Sequence, residues 1–319
     1  MERFALAAAV VLGFALTAAL CSLFVPLRRV LERREQQQQP VQSEQPRPAP
    51  LRAPLWGGLC AAAGTVAAVG VGWLAACVGQ PELLGSEGRL MTRLLTALAG
   101  SLAFGAVGLA EDLARMRSPA ALGLRRDVRL LLEALAAAFV LLLLRAAGCL
   151  PRGLGVPFLW AVLMVALAEC ARIAERDEGT VCGAAFVAML ALMMAEAGLG
   201  VPGLAVLPAA LAGALVALLL WAFPPARLGV GCCGSLLAAG AIGCIPLSLD
   251  MTSLTVPLAL PFWAAGGLLA AQLLCAKRTG KPLRCWVKKH KMSPETVFLC
   301  SFALSAVGYV LALALLRWC

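Results

Sequence analysis

Glu111 and Asp112 are adjacent acids at the end of an apolar run that extends from about Leu90 to Ala110. Two carboxylates at the mouth of a hydrophobic helix are costly unless water, a cation or a cationic side chain accompanies them. Candidate cations follow closely in the sequence: Arg115, Arg117, Arg125, Arg126 and Arg129. The acidic pair therefore marks either a solvated helix end or the floor of a charged site.

A second charged group closes another apolar run, with Glu169, Arg172, Glu175 and Glu178 recurring every three residues. On a continuing helix these side chains share one slowly drifting face, and Arg172 can pair both with Glu169 and with Glu175. One interpretation is a row of acids and one cation that contacts a metal-bound diphosphate. The other is a self-neutralised helix end, which the spacing alone favours.

Two further segments could bind an anion. Residues 225–236 form a glycine-rich turn that enters a helix, where backbone amides can face an anion. Glycines in a membrane more often serve close helix packing. The basic segment 277–291 contains Lys288, Lys289 and His290, the single histidine of the chain. It could hold a phosphate, although such segments more commonly contact the anionic leaflet.

The elements that must position these groups are long apolar segments. The chain of 319 residues is 61% hydrophobic and 14% charged, which indicates a polytopic, all-α membrane protein. About ten segments reach the length of a membrane-spanning helix. They are Phe4–Pro26, Gly57–Val78, Leu90–Ala110, Val128–Leu144, Phe158–Ile173, Thr180–Leu199, Val201–Ala222, Val230–Ile245, Val256–Ala276 and Val297–Leu316. We expect one integral membrane domain over residues 1–319, interrupted by a flexible loop rich in Pro, Gln and Arg at 27–55.

The distribution of basic residues predicts the orientation. With ten spans, most of the 27 Lys and Arg residues fall in the odd-numbered loops, which places those loops in the cytoplasm and both termini outside. The net charge of +10 is thereby explained without nucleic-acid binding. The unusual polar groups lie in the same odd loops and not in mid-membrane, where a transporter would more often carry them. A site at the cytoplasmic interface follows, suited to one water-soluble and one lipid reactant.

In order along the chain, these segments resemble the motifs of the polyprenyl-phosphate N-acetylhexosamine-1-phosphate transferase superfamily (glycosyltransferase family 4), and most of all its phospho-N-acetylmuramoyl-pentapeptide transferase branch. The first-loop motif Pro-Thr-Met-Gly-Gly is similar to residues 54–58, and Gly-Phe-x-Asp-Asp-x-x-Lys to residues 108–115. The motif Gly-Leu-x(5)-Lys-x(3)-Gln is similar to Gly123-Leu124 with Arg129 and Glu133, one residue shorter, and Ala-Asn-x-x-Asn-x-x-Asp-Gly-x-Asp-Gly to residues 168–179 and Gly183. Pro-Ala-Lys-x-Phe-x-Gly-Asp-x-Gly-Ser-Leu is similar to residues 225–236, and the histidine-rich loop to 277–291.

The resemblance implies transfer of a sugar-1-phosphate from a UDP-sugar to undecaprenyl phosphate, with release of UMP, in a bacterial inner membrane. It implies Mg²⁺ as cofactor and a homodimer as a further expectation. By position, Glu111 and Asp112 are the catalytic acids. Residues that would bind substrate are Arg115, Arg129, Glu169, Arg172, Lys288, Lys289 and His290. Residues that would bind the metal are Glu175, Glu178 and Cys232.

The glycines and prolines of the motifs are kept, whereas several chemical groups differ. Cys232 replaces the metal-binding aspartate, and Glu169 and Arg172 replace two asparagines. A thiol is a soft ligand and Mg²⁺ prefers hard oxygens. Two expectations therefore remain: an active transferase, or a catalytically inactive paralogue that binds polyprenyl phosphate or regulates or scaffolds an envelope complex.

Overall fold

The structure is a computed structural model that describes residues 2–38, 56–79, 88–117, 123–148, 155–175, 179–201, 203–223, 226–279 and 294–318. All regular secondary structure in these ranges is helical, which confirms the all-α class. The helices are α1 Glu2–Gln38, α2 Gly57–Gly79, α3 Gly88–Arg117, α4 Arg126–Ala146, α5 Gly155–Ala174, α6 Thr180–Gly198, α7 Val206–Ala222, α8 Gly231–Ser248, α9 Thr255–Leu258, α10 Leu260–Thr279 and α11 Pro294–Trp318. A 3₁₀ turn, Thr252–Leu254, precedes α9.

Seven of the described helices are long and apolar enough to cross a membrane: α1, α2, α3, α5, α6, α8 and α11. The pair α9 and α10 would add an eighth span, although the two helices are bent by 63° at their junction. The multi-pass architecture is thus confirmed. The count of ten stays a prediction, because α7 is short and α4 carries Arg129, Glu133 and Arg145. The side of the membrane on which the termini lie also stays a prediction.

The bend between α9 and α10 interrupts the predicted span Val256–Ala276. Pro257 and Pro261 lie on either side of it, and a proline has no N–H to continue the helical hydrogen bonds. Gly308 of α11 lies directly against the Pro257 carbonyl, where a Cβ atom would collide with it. The kink is therefore packed against α11.

Two helices extend beyond the ends predicted for them. α3 continues to Arg117, so Glu111, Asp112 and Arg115 lie on a helix. The prediction that they lie in a loop after Ala110 was wrong. α1 continues to Gln38, through the first part of the segment predicted as a flexible loop at 27–55. Residues 27–38 are mostly Leu, Arg, Glu and Gln, which are good helix formers, and Pro40 is the next proline after Pro26. Residues 39–55 lie outside the described ranges.

The centre of the bundle is α8, in which every residue is buried. It packs antiparallel to α3 through small residues, as is usual where membrane helices approach closely. Gly240 of α8 fits against Ser101 of α3, and Gly105 of α3 fits against Leu237. Near the other end of this pair, Arg93 lies 3.0 Å from Asp250. The α3–α8 pair is thus fixed along its length, and its register sets the positions of the charged residues.

Candidate functional site

The candidate site is built around the first turn of α8, which glycines of two other helices hold in place. Gly57 donates its N–H to the Gly229 carbonyl at 3.2 Å, and Gly58 donates to the Val230 carbonyl at 2.9 Å. A Cβ atom on Gly58 would collide with the backbone of Gly234. Gly231 begins α8 with a φ of +73°, a conformation that glycine adopts without strain. The glycines of the sequence motifs therefore form one closely packed joint.

Asp112 of α3 lies beneath this joint, with its carboxylate at the N-terminus of α8. It accepts the backbone N–H groups of Cys232 at 3.0 Å and Cys233 at 2.9 Å. A carboxylate is favourable there, because the first amides of a helix have no partner within the helix. One turn earlier, Gly108 lets α3 approach, since a Cβ atom would collide with the Cys232 carbonyl. Both interpretations of the glycine-rich turn hold in part: glycines serve close packing, and amides face an anion that the chain itself supplies.

Arg115 follows one turn after Glu111 on α3 and joins three acids. Its guanidinium nitrogens lie 2.8 Å from Glu111, 3.8 Å from Asp112 and 3.7 Å from Glu175. Glu175 comes from the turn after α5, so Arg115 links the two charged groups that the sequence kept apart. The helix α5 ends at Ala174, which means that the predicted row of acids does not continue along a helix through Glu175.

Glu169 of α5 is the second junction. It accepts Arg129 Nε at 2.7 Å and an Arg172 terminal nitrogen at 2.6 Å, and the pairing with Arg172 confirms the prediction from three-residue spacing. Arg129 also lies 3.5 Å from Glu111. A continuous network therefore runs from Arg172 through Glu169, Arg129 and Glu111 to Arg115. Glu175 takes a different partner from the one predicted, since it contacts Arg115 and Cys232.

Cys232 stands at the position where the resemblance predicts a metal-binding aspartate. Its buried thiol donates a hydrogen bond to Glu175 Oε2 at 3.1 Å, while its backbone N–H binds Asp112. The side chain thus supplies a proton to a carboxylate where an aspartate would supply two more oxygens. The residue still links the turn after α5 to α8.

The described residues do not fit Mg²⁺. Within them, no set of three or more His, Cys, Asp and Glu side chains is arranged to hold a metal ion. Magnesium requires near-octahedral hard oxygens, whereas both Asp112 oxygens accept backbone amides and Glu175 accepts a thiol. Arg115 lies between these carboxylates. Glu178, a predicted metal ligand, lies outside the described residues.

Glu133 is a member of the cluster that the sequence interpretation did not place among the site residues. It lies on α4, one turn beyond Arg129, and its side chain is fully buried. Both of its carboxylate oxygens, and Oε2 of Glu111, lack a hydrogen-bond partner in the described part of the protein. Two signals were available: Glu133 stands at the last position of the motif matched to residues 123–133, and its spacing of four residues from Arg129 places both side chains on one face of a helix.

Three of the predicted substrate-binding residues, Lys288, Lys289 and His290, lie outside the described residues and stay predictions. The structure brings the other predicted residues together at one end of the α3–α8 pair. They are Glu111, Asp112, Arg115, Arg129, Glu169, Arg172, Glu175 and Cys232.

Two known relatives, a protein family and a curated protein, are similar to this part of the chain. A family model described as Glycosyl transferase family 4 matches residues 94–250, a range that contains the acids, the arginines and Cys232 of the cluster. A curated phospho-N-acetylmuramoyl-pentapeptide-transferase from Synechococcus sp. (strain RCC307) is 32% identical over 212 residues. That alignment covers 62% of this chain and 55% of the relative, so the chain spans about half the length of the curated protein that it matches.

Proposed function

We propose that this chain, whose residues 94–250 match the model of glycosyl transferase family 4, is a membrane-embedded phospho-sugar transferase of that family. It would move a sugar-1-phosphate, phospho-N-acetylmuramoyl-pentapeptide or a similar group, from a UDP-sugar to undecaprenyl phosphate and release UMP. The reaction would take place at the cytoplasmic face of a bacterial inner membrane, in the synthesis of an envelope glycan.

The observation that carries the proposal is the meeting of distant motif segments at the first turn of α8. Gly58, Asp112, Glu175 and Cys232 come from four separate stretches of sequence and lie within hydrogen-bond or van der Waals contact of this one turn or of each other. The self-neutralised helix end explains the pairing of Glu169 with Arg172, but it does not explain why Asp112 and Glu175 converge there. A shared site does.

The chemistry would be an attack of a lipid-phosphate oxygen on the sugar-bound phosphorus, with breakage of its bond to the oxygen that leaves with UMP. Such transfer depends mainly on positioning and on neutralising charge at the phosphates. Arg115, Arg129 and Arg172 would supply N–H donors for phosphate oxygens. Glu111 keeps Oε2 without a hydrogen-bond partner in the described residues, so it is able to accept a proton from the lipid phosphate. Asp112 would hold α8 and the neighbouring Arg115 in place.

The test is release of UMP by purified protein supplied with undecaprenyl phosphate and a panel of UDP-N-acetyl sugars. We expect turnover with at least one donor and a loss of about a hundredfold or more in Asp112→Asn, the scale seen when a positioned polar group is removed from an active site. Asp127→Asn is the matched control, because Asp127 is 85% exposed and lies near only Arg125 among the ion pairs of the described residues. Equal losses in both variants would contradict the assignment.

A second candidate function is supported by Cys232. Its thiol binds Glu175 at the place of the aspartate expected from the resemblance, which favours a paralogue that binds polyprenyl phosphate without turnover. Lipid-phosphate binding with no UMP release from any donor would support this candidate. A gain of turnover in Cys232→Asp would then identify the thiol as the group that prevents catalysis. If turnover is not gained, a further replaced group such as Arg172 would be the one that prevents it.

A further inference from the structure

Arg115 lies between carboxylates of two separate segments, 3.8 Å from Asp112 and 3.7 Å from Glu175. We infer that its guanidinium is the resident cation of this site, and that the site binds a phosphate ligand without a divalent metal. The inference has two halves. The phosphate half, that the bound ligand is a lipid phosphate, rests on the proposed function, whereas the metal half, that no divalent ion is bound, does not.

The first support is the position of the guanidinium. One side chain lies within 4 Å of Glu111, Asp112 and Glu175, acids that belong to two separate segments of the chain. A divalent ion that joined Asp112 to Glu175 would have to enter next to this fixed positive charge. Two cations at such short range repel strongly in a partly buried site.

The second support is that the two carboxylates a metal would bridge already accept hydrogen bonds that fix their orientation. Asp112 accepts one backbone amide on each oxygen, and Glu175 Oε2 accepts the Cys232 thiol. Removing these bonds would leave the first amides of α8 unpaired inside the bundle, where unpaired polar groups are costly. Cys232 adds a soft ligand in place of a hard one.

The third support is the capacity of the arginines for phosphate. A guanidinium presents five N–H donors in a planar fork that matches phosphate oxygens. In the part of the chain that the structure describes, Arg172 Nε is buried and has no hydrogen-bond partner. Arg172 pairs with Glu169 and Arg115 with Glu111 and Glu175, and Arg129 joins the two sets by contacting both Glu169 and Glu111. Their remaining donors can therefore contact a phosphate without an intermediary metal.

The metal half is tested by Mn²⁺ titration of detergent-purified full-length protein, followed by electron paramagnetic resonance. Wild type and Glu175→Gln are expected to bind the same amount of Mn²⁺, because wild type holds no Mn²⁺ at Glu175. Arg115→Gln is expected to gain one bound equivalent, because the carboxylates then lose their counter-ion. Arg117→Gln is the matched control, since Arg117 is exposed on the same helix, and it should behave as wild type.

Two results would overturn the inference: Mn²⁺ bound to wild type and lost in Glu175→Gln, or Arg115→Gln that folds yet gains none. If Arg115→Gln does not fold, the wild-type titration decides alone.

The phosphate half is tested with wild type and undecaprenyl phosphate, in EDTA and in excess Mg²⁺. Equal affinity supports the inference, and binding that requires Mg²⁺ contradicts it. Absence of binding in both media counts against the proposed function, and the Mn²⁺ result still decides the metal half.

Discussion

Glu133 and Glu169 have identical side chains and belong to the same cluster, but their surroundings differ. Glu169 accepts hydrogen bonds from two arginines, while neither oxygen of the fully buried Glu133 has a hydrogen-bond partner in the described residues. A buried charge is stable when it is paired and costly when it is not. The contribution of each acid thus depends on its partners and not on its type.

The same substitution should therefore have opposite effects at these two positions. Glu169→Gln removes the negative charge between Arg129 and Arg172 and replaces one of its two acceptor oxygens with an NH₂ donor. It should destabilise the protein by about 1–3 kcal/mol, the range for a hydrogen-bonded charge that loses its partner. Glu133→Gln replaces an unpartnered acid with a neutral amide and should leave the stability unchanged or raise it. Thermal unfolding in one detergent, monitored by tryptophan fluorescence, measures both. A similar loss in both variants would show that Glu133 has a charged partner.

At the scale of helices, α2, α3 and α8 meet through glycine, and this contact places Asp112 under the first turn of α8. Gly58 and Gly108 both face backbone atoms of α8, so even a methyl group has no room at either position. In a bilayer, close packing of this kind replaces the hydrophobic effect as the force between helices. The glycine skeleton that the sequence motifs retain is therefore the part that shapes the site.

Gly58→Ala should separate α2 from α8 and destabilise the protein by about 1–3 kcal/mol, as overpacking usually does. Gly70→Ala is the matched control on the same helix, since a Cβ atom there meets nothing within 4 Å. It should be neutral or slightly stabilising, because alanine favours a helix more than glycine does. The midpoint of thermal unfolding distinguishes the two. Equal midpoints would contradict the glycine joint.

The sequence predicted the helices and the cluster better than it predicted the contacts between them. Hydrophobic segments of membrane length and motif order identified the end of α3 and the start of α8 as parts of one site. The pairing of Arg172 with Glu175 was expected only if the helix continued past Glu175. α5 ends at Ala174, and Glu175 contacts Arg115 and Cys232 instead. Ion pairs between distant segments depend on helix register, which local periodicity does not encode.

At the scale of the whole molecule, the two ends of the α3–α8 pair differ in character. The cluster with Asp112 lies at one end, and the exposed pair Arg93–Asp250 lies near the other. A helix of 18 residues such as α8 is about 27 Å long, close to the thickness of the hydrocarbon core. The two ends should therefore reach opposite surfaces of the membrane, which ties the predicted cytoplasmic site to a measurable orientation.

Labelling of introduced cysteines with a membrane-impermeant maleimide tests this orientation in intact cells. Asp250→Cys should be labelled from outside, because Asp250 is half-exposed at the end of α8 remote from the cluster. Arg117→Cys, on the exposed end of α3, should be labelled only after the cells are permeabilised. The parent protein sets the background, since the chain has 13 cysteines of its own. If Arg117→Cys reacts in intact cells and Asp250→Cys does not, the basic loops face outward, and a site that uses a cytoplasmic UDP-sugar is no longer tenable.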